Sequence, residues 1–102
     1  MKVEWQESAL RRVDEISDWL AENYGPAFAE EWAAGVFERT DILADDPLVG
    51  RVVPEIRNPS VRELFYRRNH RIVYVVDEET DTCAIAGVRH VRQKTTRRNF
   101  RT

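Results

Sequence analysis

The sequence predicts an α+β domain of element order β-α-α-β-β-β, with a helical hairpin packed on a mainly antiparallel sheet. Three observations predict it. Residues 61–90, VRELFYRRNHRIVYVVDEETDTCAIAGVRH, fall into three short apolar runs separated by two polar turns, the pattern of consecutive strands. Residues 9–44 carry apolar side chains at helical spacing on either side of Gly25-Pro26. Met1 to Trp5 alternates, with Val3 and Trp5 on one side and Lys2 and Glu4 on the other. A chain of 102 residues has room for one domain with a single modest core, here residues 1–102 with a basic tail at 91–102.

Each element has its own warrant. Ser8 is the expected N-cap of a first helix, Ala9 to Glu22, whose apolar stripe is Leu10, Val13, Ile16 and Leu20. Asn23, Tyr24, Gly25 and Pro26 end that helix, and Pro26 suits the first turn of the next. The second helix is expected from about Ala27 to Ala44, with Phe28, Trp32, Val36 and Leu43 along one stripe and Ala29, Ala33 and Phe37 beside it. So short a connection favours an antiparallel hairpin of helices. Asp45-Asp46-Pro47 stops the second helix, because the residue before proline is pushed out of helical geometry. Pro47 to Pro59 reads as a long irregular connection, with Val52 and Val53 available to pin it to the core.

Strands are then expected at Val61 to Tyr66, Arg71 to Asp77 and Thr82 to His90. Their turns are Arg67 to His70 and Glu78 to Asp81, short enough to force antiparallel pairing. A period of two groups Ile72, Tyr74 and Val76 against Arg71, Val73, Val75 and Asp77, and groups Ala84, Ala86, Val88 and His90 against Cys83, Ile85, Gly87 and Arg89. Both faces are partly apolar, so the pattern leaves the inner face open.

Composition narrows the classes. Apolar residues at 42% and charged residues at 33% fit a globular protein. No run approaches the roughly 18 apolar residues of a membrane span, and the N-terminus has acids where a signal peptide needs an apolar stretch. A cytoplasmic location is the expectation. Cys83 is the single cysteine, which rules out an internal disulfide and reads as a small buried apolar side chain. The net charge of −2 hides an asymmetry: residues 1–58 hold 6 Lys and Arg against 13 Asp and Glu, whereas residues 59–102 hold 10 against 5. Lys2 and Lys94 are the only lysines among 16 cations, and arginine's planar fork favours bidentate contacts with carboxylates or phosphates. The basic half therefore points to an anionic partner, either nucleic acid or an acidic protein segment.

The candidate chemistry lies on the last three strands. If Arg62, Arg71 and Arg89 point the same way, they form a cationic patch able to hold a phosphate or a developing phosphorane. Arginine stays protonated near neutral pH, so metal-free RNA cleavage would need a proton carrier among His90, His70, Glu63, Tyr66 and Tyr74. His90, at the end of the last strand, is the best placed. The plain alternative pairs the arginines with acids such as Glu63 or Asp77. No glycine-rich phosphate loop, HExxH or CxxC occurs, and neither a cofactor nor a metal is expected. Trp19, beside Leu20 and offset from the apolar stripe, is the tryptophan expected at a partner surface. The tail adds Arg92, Arg97 and Arg98 as partner contacts, and its composition allows it to be disordered until a partner binds.

Taken together, the short strand, the helical hairpin, the proline-containing connection, Arg62-Glu63-Leu64, the strand HRIVYVVD (70–77) and the ending VRHVRQ (88–93) resemble the ParE and RelE toxins of bacterial type II toxin–antitoxin systems. The likeness spans nearly the whole chain and is closer to ParE. It implies two helices packed across a mainly antiparallel sheet, and a cognate ParD-like antitoxin whose C-terminal segment wraps the toxin. RelE-like relatives cut mRNA on the ribosome, and ParE-like relatives are similar to gyrase poisons. The resemblance thus implies an inhibitor of DNA gyrase, with the tail from Val91 as a candidate contact. It leaves open an endoribonuclease using Arg62, Arg71, Arg89 and His90, or a non-toxic module that regulates through its antitoxin.

Overall fold

Backbone pairing, not a side-chain cap, sets where the first helix begins. Strand β1 (Lys2–Trp5) runs parallel to the last strand, with Val3 beside Cys83 and Trp5 beside Ile85. The Gln6 N–H then donates to the Ile85 carbonyl at 3.0 Å. That bond ends the strand, and α1 (Glu7–Tyr24) follows with Gln6 at its N-cap and no side-chain cap bond. Ser8, the expected cap, sits inside the first turn. The computed structural model describes residues 1–93; the tail beyond Gln93, with Lys94, Arg97, Arg98, Phe100 and Arg101, lies outside the described residues.

Helix α1 buries Ala9, Val13, Ile16 and Leu20. Leu10, expected in that stripe, is exposed because Ala9 takes the inward position. Gly25, at φ 97°, makes the turn that a side chain would resist, and Pro26 opens α2 (Pro26–Thr40). Ala29, Trp32, Val36 and Thr40 face inward from it. The helix does not run on to Ala44: past Thr40 it tightens into a 3₁₀ turn, Asp41–Ala44, which drives Leu43 into the core. Phe37 stays partly exposed and rests its ring 4.8 Å from that of Trp5.

The irregular connection contains a strand too short for any period to reveal. Strand β2 (Arg51–Val52) pairs antiparallel with β3 (Val61–Tyr66), Arg51 opposite Glu63 and Val52 opposite Arg62. Strands β4 (His70–Asp77) and β5 (Thr82–His90) complete a sheet ordered β1-β5-β4-β3-β2. The expected three-strand meander is therefore the centre of a five-stranded sheet with one parallel edge.

Strict alternation fails once, and the failure settles the faces. Val73 pairs with Gly87 but Tyr74 pairs with Ile85, so Ala86 is left as the extra residue of a bulge. Cys83 and Ile85 before the bulge, and Val88 and His90 after it, thereby come to the same side. The grouping of Ala84 and Ala86 with Val88 and His90 does not hold. The helices cover the face carrying Leu64, Ile72, Tyr74, Val76, Cys83, Ile85 and Val88. On the outer face, Val53, Val61 and Val73 form a second apolar cluster with Ile56 and Val75, so the connection does pin itself down, through Val53. Burying a side chain of this size contributes about 2 kcal/mol. Cys83 is fully buried, its Sγ 3.4 Å from Met1 Sδ, and burial raises its thiol pKa.

Candidate partner-binding groove

Cross-strand register decides which arginines are available. Phe65, Arg71 and Arg89 lie in one row across β3, β4 and β5, on the outer face. Arg62 is opposite Tyr74 and so belongs to the helix-side face. The three arginines do not form one patch. Arg62 donates from Nε to the Pro59 carbonyl at 2.9 Å and from Nη1 to the Gly50 and Leu48 carbonyls at 2.9 and 3.2 Å. Its guanidinium ties down the proline-rich connection.

Arg71 is likewise engaged. Its guanidinium donates to both oxygens of Glu55, at 3.3 and 2.9 Å, and lies 3.2 Å from Glu63 Oε1. It also donates to the Gln93 carbonyl. Glu63 in turn accepts from Arg51 Nε at 2.7 Å, and the Arg51 guanidinium lies over the Phe65 ring at 4.8 Å. Arg71 and Glu63 are both buried; the neighbouring acids raise the Arg71 pKa, outweighing the downward pull of burial. The pairing of Arg71 with Glu63 is thus realised, whereas Asp77 caps its own turn by accepting from the Glu79 and Thr80 N–H groups.

Three of the candidate proton carriers are structural too. Glu63 belongs to the buried ion network. Tyr66 donates to the Trp32 carbonyl at 2.9 Å, and Tyr74 donates to the Pro47 carbonyl at 2.8 Å while accepting from the Gly50 N–H at 3.0 Å. Burial raises both phenol pKa values. His70 and His90 instead line one open space together.

That space is a groove of about 740 Å³ at the hairpin end of the sheet. Trp19, Leu20, Tyr24, Phe28 and Trp32 give it an apolar wall, and Arg12, Arg67, His70 and His90 rim it, with Glu15 as the one acid. Trp19 is 55% and Tyr24 63% exposed, their rings edge to face at 5.9 Å, and Tyr24 continues to Phe28 at 5.6 Å. The sequence marked Trp19 but not Tyr24 or Phe28. In sequence Tyr24 fits a helix stop and Phe28 a core stripe, and only the close approach of α1 and α2 joins them.

At the groove's inner end, His70 packs edge to face against Trp32 at 5.3 Å and against His90 at 5.9 Å. Its Nδ1 is buried with no hydrogen-bond partner. Burial first, then the charges of His90 and Arg12, hold its pKa below the ordinary histidine value. His90 accepts from the Arg92 N–H at Nδ1, 3.2 Å away, which leaves Nε2 to carry the proton of a neutral ring. Arg89, on the other face, has no ion pair among the described residues. Burial, Arg12 and Arg71 lower its pKa, though an arginine remains charged. No group of three or more His, Cys, Asp or Glu among the described residues could hold a metal ion.

A family described as "ParE toxin of type II toxin-antitoxin system, parDE" matches residues 3–95. The chain belongs to the ParE toxin family. Solved structures share its fold. A chain of the chromosomal ParDE system of Pseudomonas aeruginosa superposes with a TM-score of 0.76 at 22% identity, covering 90% of this chain and 97% of that one. A chain of the RelBE2 toxin–antitoxin complex of Mycobacterium tuberculosis gives 0.56 at 23% identity, covering 87% and 95%. No curated protein matches the chain. The expected ParE/RelE-like fold is therefore found in this ParE-family toxin, and no helix among its described residues is long and apolar enough to cross a membrane.

Proposed function

We propose that this ParE-family chain is a cytoplasmic inhibitor of DNA gyrase, acting by protein binding and neutralised by a ParD-like antitoxin whose segment lies in the aromatic groove. The observation that carries the antitoxin half is the exposed Trp19–Tyr24–Phe28 wall. An aromatic surface of this kind on a folded domain suits a partner's apolar side chains. The P. aeruginosa and M. tuberculosis neighbours both come from toxin–antitoxin assemblies.

The gyrase half is supported by what the arginines do. Arg62 and Arg71, two of the three cations that RNA cleavage would have used, hold backbone carbonyls and carboxylates of the chain itself. One observation favours the ribonuclease reading: His90 and His70 stand together beside Arg12, the pairing of proton carrier and cation that metal-free cleavage needs.

Expression without antitoxin, followed by purified gyrase assayed for trapped cleavage complexes, separates these readings. Growth arrest with trapped gyrase–DNA breaks that truncation at Val91 abolishes supports gyrase inhibition. Arrest with fragmented mRNA that His90→Ala abolishes supports the nuclease. Absence of arrest moves the function to regulation through the antitoxin.

A further inference from the structure

The sheet ends at β1 with backbone groups turned outward. The Lys2 N–H donates to the Asp81 carbonyl at 2.9 Å and the Gln6 N–H to the Ile85 carbonyl at 3.0 Å, so Lys2, Glu4 and Gln6 direct their backbone bonds toward β5 in the parallel register. Alternation along the strand then points the N–H and C=O groups of Val3 and Trp5 away from the sheet, where they meet no backbone partner among the described residues. An open edge of this kind is a template for another strand. The opposite edge, β2, has two residues and offers little to pair with.

The side chains on this edge select its partner. Lys2 and Glu4 are exposed on the outer face, 3.3 Å apart. Val3 and Trp5 pack half-buried on the helix side, next to the partly exposed Phe37 ring. The 3₁₀ turn that carries exposed Ile42 is tied to the same strand, because the Met1 ammonium donates to the Ala44 carbonyl at 2.9 Å. A lysine on an edge ordinarily discourages pairing. The order Lys2-Val3-Glu4 is nevertheless self-complementary when the strand meets itself antiparallel about Val3. Lys2 then lies opposite the second copy's Glu4, and Glu4 opposite its Lys2, at the non-hydrogen-bonded positions where side chains come closest. Sliding the pair by two residues sets Lys2 against Lys2 or Glu4 against Glu4, and like charges directly opposite are destabilising.

We propose that β1 pairs with β1 of a second copy of this chain about a two-fold axis at Val3, joining two five-stranded sheets into one. Val3 exchanges both its backbone bonds with its counterpart, and each Trp5 N–H donates to the Met1 carbonyl of the other copy. The contact is isologous and therefore closes as a dimer without propagating. Val3, Trp5, Phe37 and Ile42 of the two copies meet on the helix side, and Lys2 and Glu4 alternate in charge across the outer side. A four-residue strand is only about 13 Å long, which puts the dimer among small, reversible interfaces. No residue of β1 lines the aromatic groove, so the pairing stands apart from the antitoxin and gyrase readings above.

The test is sedimentation equilibrium of the full chain, free of antitoxin and untagged at its N-terminus, over a wide concentration range, with Tm followed by thermal unfolding. Wild type is expected to pass reversibly from one chain mass to two. Lys2→Glu and Glu4→Lys, each of which places like charges opposite one another, are expected to raise the dimer Kd at least tenfold with Tm nearly unchanged, because both side chains are exposed. Mixing the two variants is expected to restore dimers, since the all-acidic edge of one meets the all-basic edge of the other. Val3→Pro removes an outward N–H without touching the β5 ladder and is expected to abolish dimers; if it fails to fold, the charge variants carry the test. Wild type that sediments as a single chain throughout overturns the proposal. So does a wild-type dimer that both charge variants retain, or one that their mixture does not restore.

Discussion

Replacing Arg71 by Met tests whether the outer-face charges serve the fold or the function. The Arg71 side chain is 5% exposed and that of Glu63 is 0%, whereas Arg51 is 51% and Glu55 27% exposed. Arg71→Met leaves the Glu63 carboxylate buried with only Arg51 beside it, and breaking a buried pair from one side costs about 4 kcal/mol. In a chain of this size that lowers Tm by on the order of 20 °C. Glu63→Leu is milder, about 2 kcal/mol, because Arg71 keeps Glu55. The double variant removes both ends of the pair, so its loss is expected to fall short of the sum of the singles by about 2 kcal/mol. Urea denaturation of the four proteins measures this coupling. Additive losses, or a change in Tm under about 2 °C for Arg71→Met, would refute the network as a buried unit. A double variant that folds but no longer binds antitoxin or arrests growth would return Arg71 to the list of functional contacts.

Three further outcomes are expected. Trp19→Ala weakens antitoxin binding by about 2 kcal/mol or more, as truncation of a central aromatic anchor does, with Tm nearly unchanged because the ring is largely solvent-exposed; calorimetry and thermal unfolding read the two effects. His70, whose pKa is lowered on folding, favours the folded state fully only above its unfolded value near 6.5. As pH falls below that value the unfolded chain takes up a proton first, so stability declines until folded His70 also titrates. His70→Phe flattens this acid limb in urea titrations at a series of pH values. Gly50→Ala places a methyl group 2.6 Å from the Glu63 carbonyl and the Tyr74 hydroxyl, an overpacking of about 1–3 kcal/mol that lowers the denaturation midpoint.

Period-two and helical patterns exposed most of the fold because they report burial on single elements. Leu64, Ile72, Tyr74 and Val76 alternate as their strands require, and Val13, Ile16 and Leu20 mark the inner side of α1. What the patterns missed depends on relations between elements. The Ala86 bulge is invisible in β5 alone, since both phases of that strand are apolar, and it is defined only by pairing with β4. Strand β2 has two residues, too few to carry a period. The arginine patch failed for the same reason. Arg62 and Arg71 are nine positions apart in sequence, and only the hairpin register shows that they face opposite sides of the sheet.

The groove follows that logic as well, and this bears on how neutralisation would work. Its wall comes from α1 and α2, and its rim from the β3–β4 turn and the end of β5. His90 lines the groove, and the tail proposed to meet gyrase starts one residue later, at Val91. An antitoxin segment lying along Trp19 and Trp32 and reaching Arg67 and His90 would therefore cover the root of that tail. Antitoxin and gyrase would then compete sterically, without any change of toxin conformation. Wild-type chain held by antitoxin should fail to capture gyrase. A Trp19→Ala chain, at an antitoxin concentration that saturates wild type, should capture it again. Simultaneous binding of both partners to one toxin would rule out this form of neutralisation while leaving the groove as the antitoxin's site.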